Sequence, residues 1–143
     1  MPYTIYIAGK MSSRYRLRPV KKLLKALGYN VLSKWMDPDV NMDPSIDIDS
    51  LGSNLDESKA EAERDSSELD AADIFIIDTF DASQSGGREV ELGMELEKQK
   101  LKRYKPQAIL RVGPIRNVFH TRTIPFDNWD SVLPYLKENF PND

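Results

Sequence analysis

The sequence predicts an α/β domain: a parallel sheet of about five strands with helices on both faces, of flavodoxin or Rossmann-like type. Two observations predict it. Short β-rich apolar runs occur at residues 3–8 (YTIYIA), 73–79 (DIFIIDT) and 107–112 (QAILRV), and they read as buried strands. Between them lie stretches with apolar residues at helical spacing, and a strand, helix, strand order implies a right-handed parallel crossover.

The elements follow in order. Residues 3–8 form a first, central strand that ends at Gly9. Residues 12–27 place Leu17, Val20, Leu23, Leu24 and Leu27 on one side of a helix, with Lys and Arg between them as on a solvated face. Gly28 is a natural stop. Residues 30–35 (NVLSKW) read as a second, shorter strand. Residues 37–54 break the rhythm with two prolines and many aspartates, and are expected to be a long loop, a lid or an acidic insertion. Residues 55–72 read as a helix rich in Glu, Lys and Ala, capped by Ser53 or Asn54. It leads into the strand at 73–79, a small polar loop, a glycine pair and a helix over 89–100. The strand at 107–112 is followed by a Gly113-Pro114 turn. A short fifth strand is expected near 123–125, and a closing helix over 129–140 puts Trp129, Val132, Leu133 and Leu136 on one side. No repeat, low-complexity tract or second domain is visible, so residues 1–143 are read as one domain.

Composition narrows the function. At 143 residues the chain can bury a real core. A hydrophobic share of 40% with 30% charged residues is ordinary for a globular protein. A net charge of −3 argues against gripping nucleic acid through its phosphates. There is no cysteine, which excludes disulfides and thiolate metal sites, and the single His120 excludes a multi-histidine site within one chain. No apolar run is long enough to span a membrane, and no signal-peptide pattern is present, so a cytoplasmic location and no membrane partner are expected. Asp43, Asp47 and Asp49 alternate as calcium ligands do, but lack the central glycine and terminal glutamate of an EF-hand loop.

The chemistry is placed in residues 83–93 (SQSGGREVELG). In an open α/β sheet the crevice beyond the carboxyl ends of the strands binds ligands. Gly86 and Gly87 allow close backbone approach, and the N–H groups of the helix start favour negative charge. Glu89 and Glu91 sit beside that helix start, where a carboxylate is expected to be held ionised. That suits a nucleophile and a plain helix start equally, and periodicity does not separate the two glutamates.

Four pieces line up: residues 4–9 (TIYIAG), the Asp65…Asp73 spacing, residues 85–93 (SGGREVELG) and residues 114–117 (PIRN). Together they resemble the nucleoside 2-deoxyribosyltransferase superfamily, which includes the 2'-deoxynucleoside 5'-monophosphate N-hydrolases. The resemblance spans roughly residues 3–120 and implies a chemistry. Glu91, in the Glu-Leu-Gly element, is the nucleophile that attacks C1' and forms a glycosyl ester, as in a retaining glycosidase. Asp65 handles the proton on the base. Tyr6 contacts the nucleophile or the sugar. Asn117 serves the 5' end of the sugar in a neighbouring subunit. Gly9, Lys10, Ser85, Gly86, Gly87 and Arg88 complete the substrate-binding set. Ser85 stands where the transferase branch has an aspartate and the monophosphate hydrolase branch a phosphate-contacting serine. Lys10, Ser12, Ser13 and Arg14 add donors after the first strand, though residues 9–14 (GKMSSR) hold less glycine than the hydrolase loop. His120 is a further base- or phosphate-binding candidate, more often a residue with neither role.

The implied substrate is a small nucleoside or nucleotide, with no cofactor and no metal, in a homodimer or higher oligomer with shared active sites. The acceptor is another base or water. The competing reading is a non-catalytic nucleotide sensor that binds in the same cleft. A dinucleotide-binding protein is disfavoured because no Gly-x-Gly-x-x-Gly turn follows the first strand.

Overall fold

The computed structural model describes residues 2–38, 55–83 and 86–142. Ser85, Asp43, Asp47 and Asp49 lie outside the described residues. Five strands form one parallel sheet: β1 (Thr4–Ala8), β2 (Asn30–Val31), β3 (Ile74–Asp78), β4 (Ala108–Val112) and β5 (Ile124–Phe126), in the order β2-β1-β3-β4-β5. The order reverses direction after β2, so the switch point falls between β1 and β3, where their carboxyl ends open a crevice. Among the described residues, four α-helices pack on the sheet: α1 (Arg14–Ala26), α2 (Leu55–Ala71), α3 (Gly87–Lys100) and α4 (Trp129–Asn139). The predicted fold class stands. Among the described residues, no helix is long and apolar enough to cross a membrane.

The sheet is built from fully buried runs. Every residue of β3 and β4 is buried, and both are rich in the β-branched and aliphatic side chains that fill a two-sided layer. Each buried Ile or Leu of these strands contributes about 1.5–3 kcal/mol of hydrophobic stabilisation. Alternation along β1 sends Ile5 and Ile7 to one face and Tyr6 to the other. There Tyr6 lies beside its register partner Phe75, their rings 6.1 Å apart and nearly parallel. One face carries α1 and α4, whose Val20, Leu23, Trp129 and Leu133 line a common crevice. The other carries α2 and α3, joined where Lys98 Nζ meets Asp70 Oδ1 at 2.7 Å.

The second strand is shorter than predicted. Residues 30–35 alternate as a strand would, but only Asn30–Val31 pairs with β1. Ser33 takes a left-handed backbone, φ 37°, and turns the chain into a 3-10 turn at Lys34–Met36. Side chains then replace the missing ladder. Ile7 N–H donates to Ser33 Oγ at 2.6 Å, and Trp35 Nε1–H donates to Ile7 O at 2.7 Å. The free edge of β1 is thus satisfied without further strand. The first helix also starts later than residue 12, because Met11–Ser13 forms a separate 3-10 turn. The fifth strand and the closing helix fall within one residue of the expected bounds.

Asp78, at the carboxyl end of β3, ties the pieces together. Its buried carboxylate accepts both Nη groups of Arg16 from α1 at 2.8 Å, Trp129 Nε1–H from α4 at 2.8 Å, and Phe80 N–H at 3.2 Å. Asp78→Ala is expected to lower stability by about 3 kcal/mol, because buried donors lose a charged acceptor. The exposed Asp81→Ala is expected to cost less than about 1 kcal/mol. Urea denaturation of the two variants measures the difference, and equal losses would remove Asp78 from this role.

Candidate active site

Gly86 caps α3 with φ 79°, in the left-handed region that favours glycine, and a Cβ at Gly86 or Gly87 would meet open space. Gly9 is different: a Cβ there would lie 2.9 Å from Leu17 Cδ1, so its lack of a side chain lets α1 pack close to β1.

Glu91 and Tyr6 meet directly. The Tyr6 hydroxyl, wholly buried on β1, donates to Glu91 Oε2. Asp65 and Glu68, three residues apart on α2 and therefore on one helix face, supply negative charge to the same seam. Arg64 donates to Asp65 Oδ1 from Nη2 at 3.1 Å, and Lys34 N–H donates to Glu68 Oε1 at 3.0 Å. The result is an acidic seam between β1, α2 and α3.

The electrostatics correct one expectation. Glu91 was predicted to be held ionised by the helix start. α3 begins at Gly87, so Glu91 lies past the first turn, and burial dominates. Burial pushes the Glu91 carboxyl up to about 8; the Tyr6 hydrogen bond opposes this, and the charges of Asp65, Glu95 and Glu68 add to it. Burial likewise raises Asp65, against the pull of Arg64, and raises Glu68. Burial and the neighbouring Glu91 and Asp65 push Tyr6 far up, so it remains a donor. A seam of carboxyl groups biased toward holding protons, against a buried phenol, is equipped for proton transfer.

Glu89 has the opposite surroundings. Two positions along a helix is more than half a turn, so it faces away from Glu91. It accepts from His120 Nε2 at 2.9 Å, Asn117 Nδ2 at 3.0 Å and Arg88 Nε at 3.3 Å. Burial raises it, but these donors outweigh that and leave its pKa lowered. His120 is wholly buried, and its Nδ1 accepts Arg116 N–H at 2.9 Å, so the ring proton sits on Nε2. Glu89 and His120 therefore tie α3 to the 3-10 turn Val118–Arg122.

The remaining predicted residues divide. Arg88 is buried and donates to the carbonyls of Asp78 at 3.2 Å and Asp81 at 2.6 Å, so it braces the loop. Asn117 caps the 3-10 turn, accepting from Phe119 N–H at 2.9 Å, and stands on the Glu89 side of α3. The Ser13 hydroxyl donates to Asp81 at 2.5 Å. Lys10 sits just before that turn, its charge felt at Asp81. Glu68, Asp78 and Glu95 were not singled out from the sequence. The i,i+3 spacing of Glu68 from Asp65 and the i,i+4 spacing of Glu95 from Glu91 were visible there, hidden among the many acids of two acidic helices. Among the described residues, no cluster of three or more His, Asp or Glu is placed to hold a metal ion.

The sequence matches no protein-family model and no curated protein. Among solved structures it is similar to a 2-deoxyribosyltransferase from the psychrotolerant bacterium Bacillus psychrosaccharolyticus, with 21% identity and a TM-score of 0.57 over 90% of this chain and 89% of that one. The two proteins share a fold.

The two glutamates predict opposite pH effects on stability. Glu91 is raised, so the folded state holds a proton the unfolded chain has released; its favourable contribution is present below about pH 4.5 and is lost as pH rises through about 8. Glu91→Gln is therefore expected to raise Tm at pH 9 by several degrees more than at pH 5. Glu89 is lowered, so its contribution is present above about pH 4.5 and is lost as pH falls through its folded value. Glu89→Gln is expected to lower Tm at neutral pH and little at pH 3. Calorimetry across pH 3–9 checks both signs.

Proposed function

We propose that the chain is a member of the nucleoside 2-deoxyribosyltransferase superfamily that cleaves the N-glycosidic bond of 2'-deoxynucleosides or their 5'-monophosphates, with retention, and passes the sugar to another base. The observation that carries this reading is the Tyr6–Glu91 pair in a carboxylate-lined seam beside a glycine turn. The fold shared with a 2-deoxyribosyltransferase and the motif resemblance support it.

The proposed steps balance as follows. An oxygen of ionised Glu91 bonds to C1' while the C1'–N bond breaks, its electron pair leaving on the base nitrogen. Asp65 gives that nitrogen a proton. The incoming base then attacks C1' through nitrogen, returns a proton to Asp65 and expels Glu91 as carboxylate. The seam thus needs one proton placed on Asp65 and none on Glu91, a partition within a coupled pair. The Tyr6 hydroxyl stabilises the ionised Glu91 and holds its oxygen in place. The ester stores the sugar, so no cofactor has a step. Water as acceptor gives the hydrolase alternative; binding without turnover gives the sensor.

Incubation with a panel of deoxynucleosides and deoxynucleoside monophosphates, with and without a second base, separates these. Exchanged base supports the transferase and free base without an acceptor the hydrolase; binding alone leaves the sensor. Glu91→Ala and Glu91→Gln are expected to fall below about one thousandth of wild-type turnover, and Glu89→Gln to stay within about tenfold of it. Intact-mass spectrometry is expected to find deoxyribosyl ester on Glu91. Equal, mild losses from the Glu91 and Glu89 variants would remove Glu91 from its role.

We further propose that the active sites are shared within a homodimer or larger homo-oligomer. α3 exposes Val90 by 64%, and Phe119 stands 60% exposed across a groove of about 520 Å³. Glu97 and Arg122 lie in the same groove, so a two-fold contact can pair opposite charges. Contiguous apolar exposure of this kind marks contact surfaces. Asn117 borders this groove, on the side of α3 away from its own Glu91, and the reading assigns it to the partner's site. Val90→Lys with Phe119→Lys is expected to yield monomers in sedimentation analysis and to reduce turnover; a wild-type monomer at micromolar concentration would exclude shared sites.

A further inference from the structure

We propose that Glu95 is a positioning residue for the reaction at Glu91: a fixed negative charge one helical turn further along α3, secured by Lys98, that governs when Glu91 ionises and favours its discharge into the sugar ester. The proposal rests on the reading of Glu91 as nucleophile.

Glu95 is wholly buried. Its Oε2 lies 2.9 Å from Lys98 Nζ, and Lys98 Nζ lies 2.7 Å from Asp70 Oδ1 on α2. Both contacts are ion pairs made by a single lysine, and Glu95 Oε1 has no hydrogen-bond partner among the described residues. A buried carboxylate in that condition is a poor way to stabilise a fold, and an apolar side chain of similar volume would usually serve better. Packing therefore does not account for the charge, but its position does. Residues four apart share a helix face, so Glu95 stands behind Glu91, and its charge is one of those acting on that carboxyl.

The groups facing Glu91 can be named from each packed element. β1 supplies Tyr6, α2 supplies Asp65, itself paired with Arg64, and Glu68, and α3 itself supplies Glu95. Asp65 takes and returns a proton in each turnover, so its charge is not constant. Glu95 keeps its lysine partner throughout. Its repulsion of ionised Glu91 disappears when the C1'–O bond forms, because the ester is neutral. The same charge favours the positive sugar that develops between the two states. Burial raises the Glu95 carboxyl; Lys98 opposes that and sustains the effect by favouring the ionised form, and Asp70 holds Lys98 from the far side.

Glu95→Gln and Glu95→Met both delete the charge, the second with a side chain suited to an apolar site. Glu63→Gln, on the exposed side of α2, controls for a general change in net charge. Carboxyl ¹³C NMR titration of Glu91 in the ligand-free protein reads the ionisation without any turnover. Both Glu95 variants are expected to lower the Glu91 midpoint by about one pH unit, a tenfold change in its acid constant, and Glu63→Gln to leave it in place. The acid limb of kcat/KM is expected to move with the midpoint, and ester formation at saturating pH to slow by about tenfold. A midpoint that stays put in both folded Glu95 variants overturns the proposal. A wild-type protein that never forms the sugar ester would instead sink the nucleophile reading, which the titration does not depend on.

Discussion

The buried carboxylate of Asp78 is the interaction on which the architecture of the edge depends. A charge with 1% exposure is tolerable only when its oxygens are fully engaged. Here the donors come from α1, α4 and the β3–α3 loop. The requirement to satisfy one side chain thus fixes where two helices end against the sheet and where the loop leaves it. Arg88 extends the same logic by holding the loop's own carbonyls. With the loop braced from both sides, Gly86 starts α3 in a defined direction, and Glu91 arrives opposite Tyr6.

That arrival carries a stability cost. Four acidic side chains, Asp65, Glu68, Glu91 and Glu95, meet between two helices, with Arg64 and Lys98 as the nearby cations. Folding alone would replace such a seam with aliphatic side chains, as it does throughout β3 and β4. Active sites concentrate groups whose ionisation is displaced from the ordinary range, and the displacement here has one main cause, removal from water, with mutual repulsion adding to it. The protein withstands this because the sheet beneath is apolar and continuous.

Much of this was legible in the residues. Apolar periodicity distinguished α1 and α4, because 3.6-residue and 2-residue patterns do not overlap over a dozen positions, and composition rich in helix formers marked α2 and α3. The sheet class followed from strands too far apart for hairpins. The Glu91, Asp65 and Tyr6 grouping came from a motif resemblance, and the chain does bring Tyr6 and Glu91 into contact with Asp65 beside them. The failures have physical reasons. The second strand was overextended because Val31 and Trp35 alternate correctly, whereas Ser33 turns left-handed and supplies an edge hydrogen bond from its side chain. The reach of Arg88 back to two carbonyls is a tertiary fact that its place beside a glycine pair does not reveal. The ionisation of Glu91 was misjudged because a helix start acts over one turn, whereas burial acts through everything packed on top.

The contrast between Glu89 and Glu91 shows why composition could not settle the chemistry. Both are glutamates on one helix, two positions apart, and the sequence offers each the same backbone. Rotation about the helix axis sends one to His120 and Asn117, where neutral and charged donors saturate it and hold it ionised. The same rotation sends the other to a phenol and a wall of carboxyls, which leave it partly protonated and short of partners. A carboxylate whose oxygens each already accept from a donor is a poorer nucleophile toward an anomeric carbon, since those donors would be stranded by its departure. An under-satisfied one gains by bonding, because forming an ester removes a charge that its surroundings resist. On the proposed function, the reactive member of the pair is the one whose environment is worse for the resting anion, and that environment is set by what α2 and β1 present, far away in the chain.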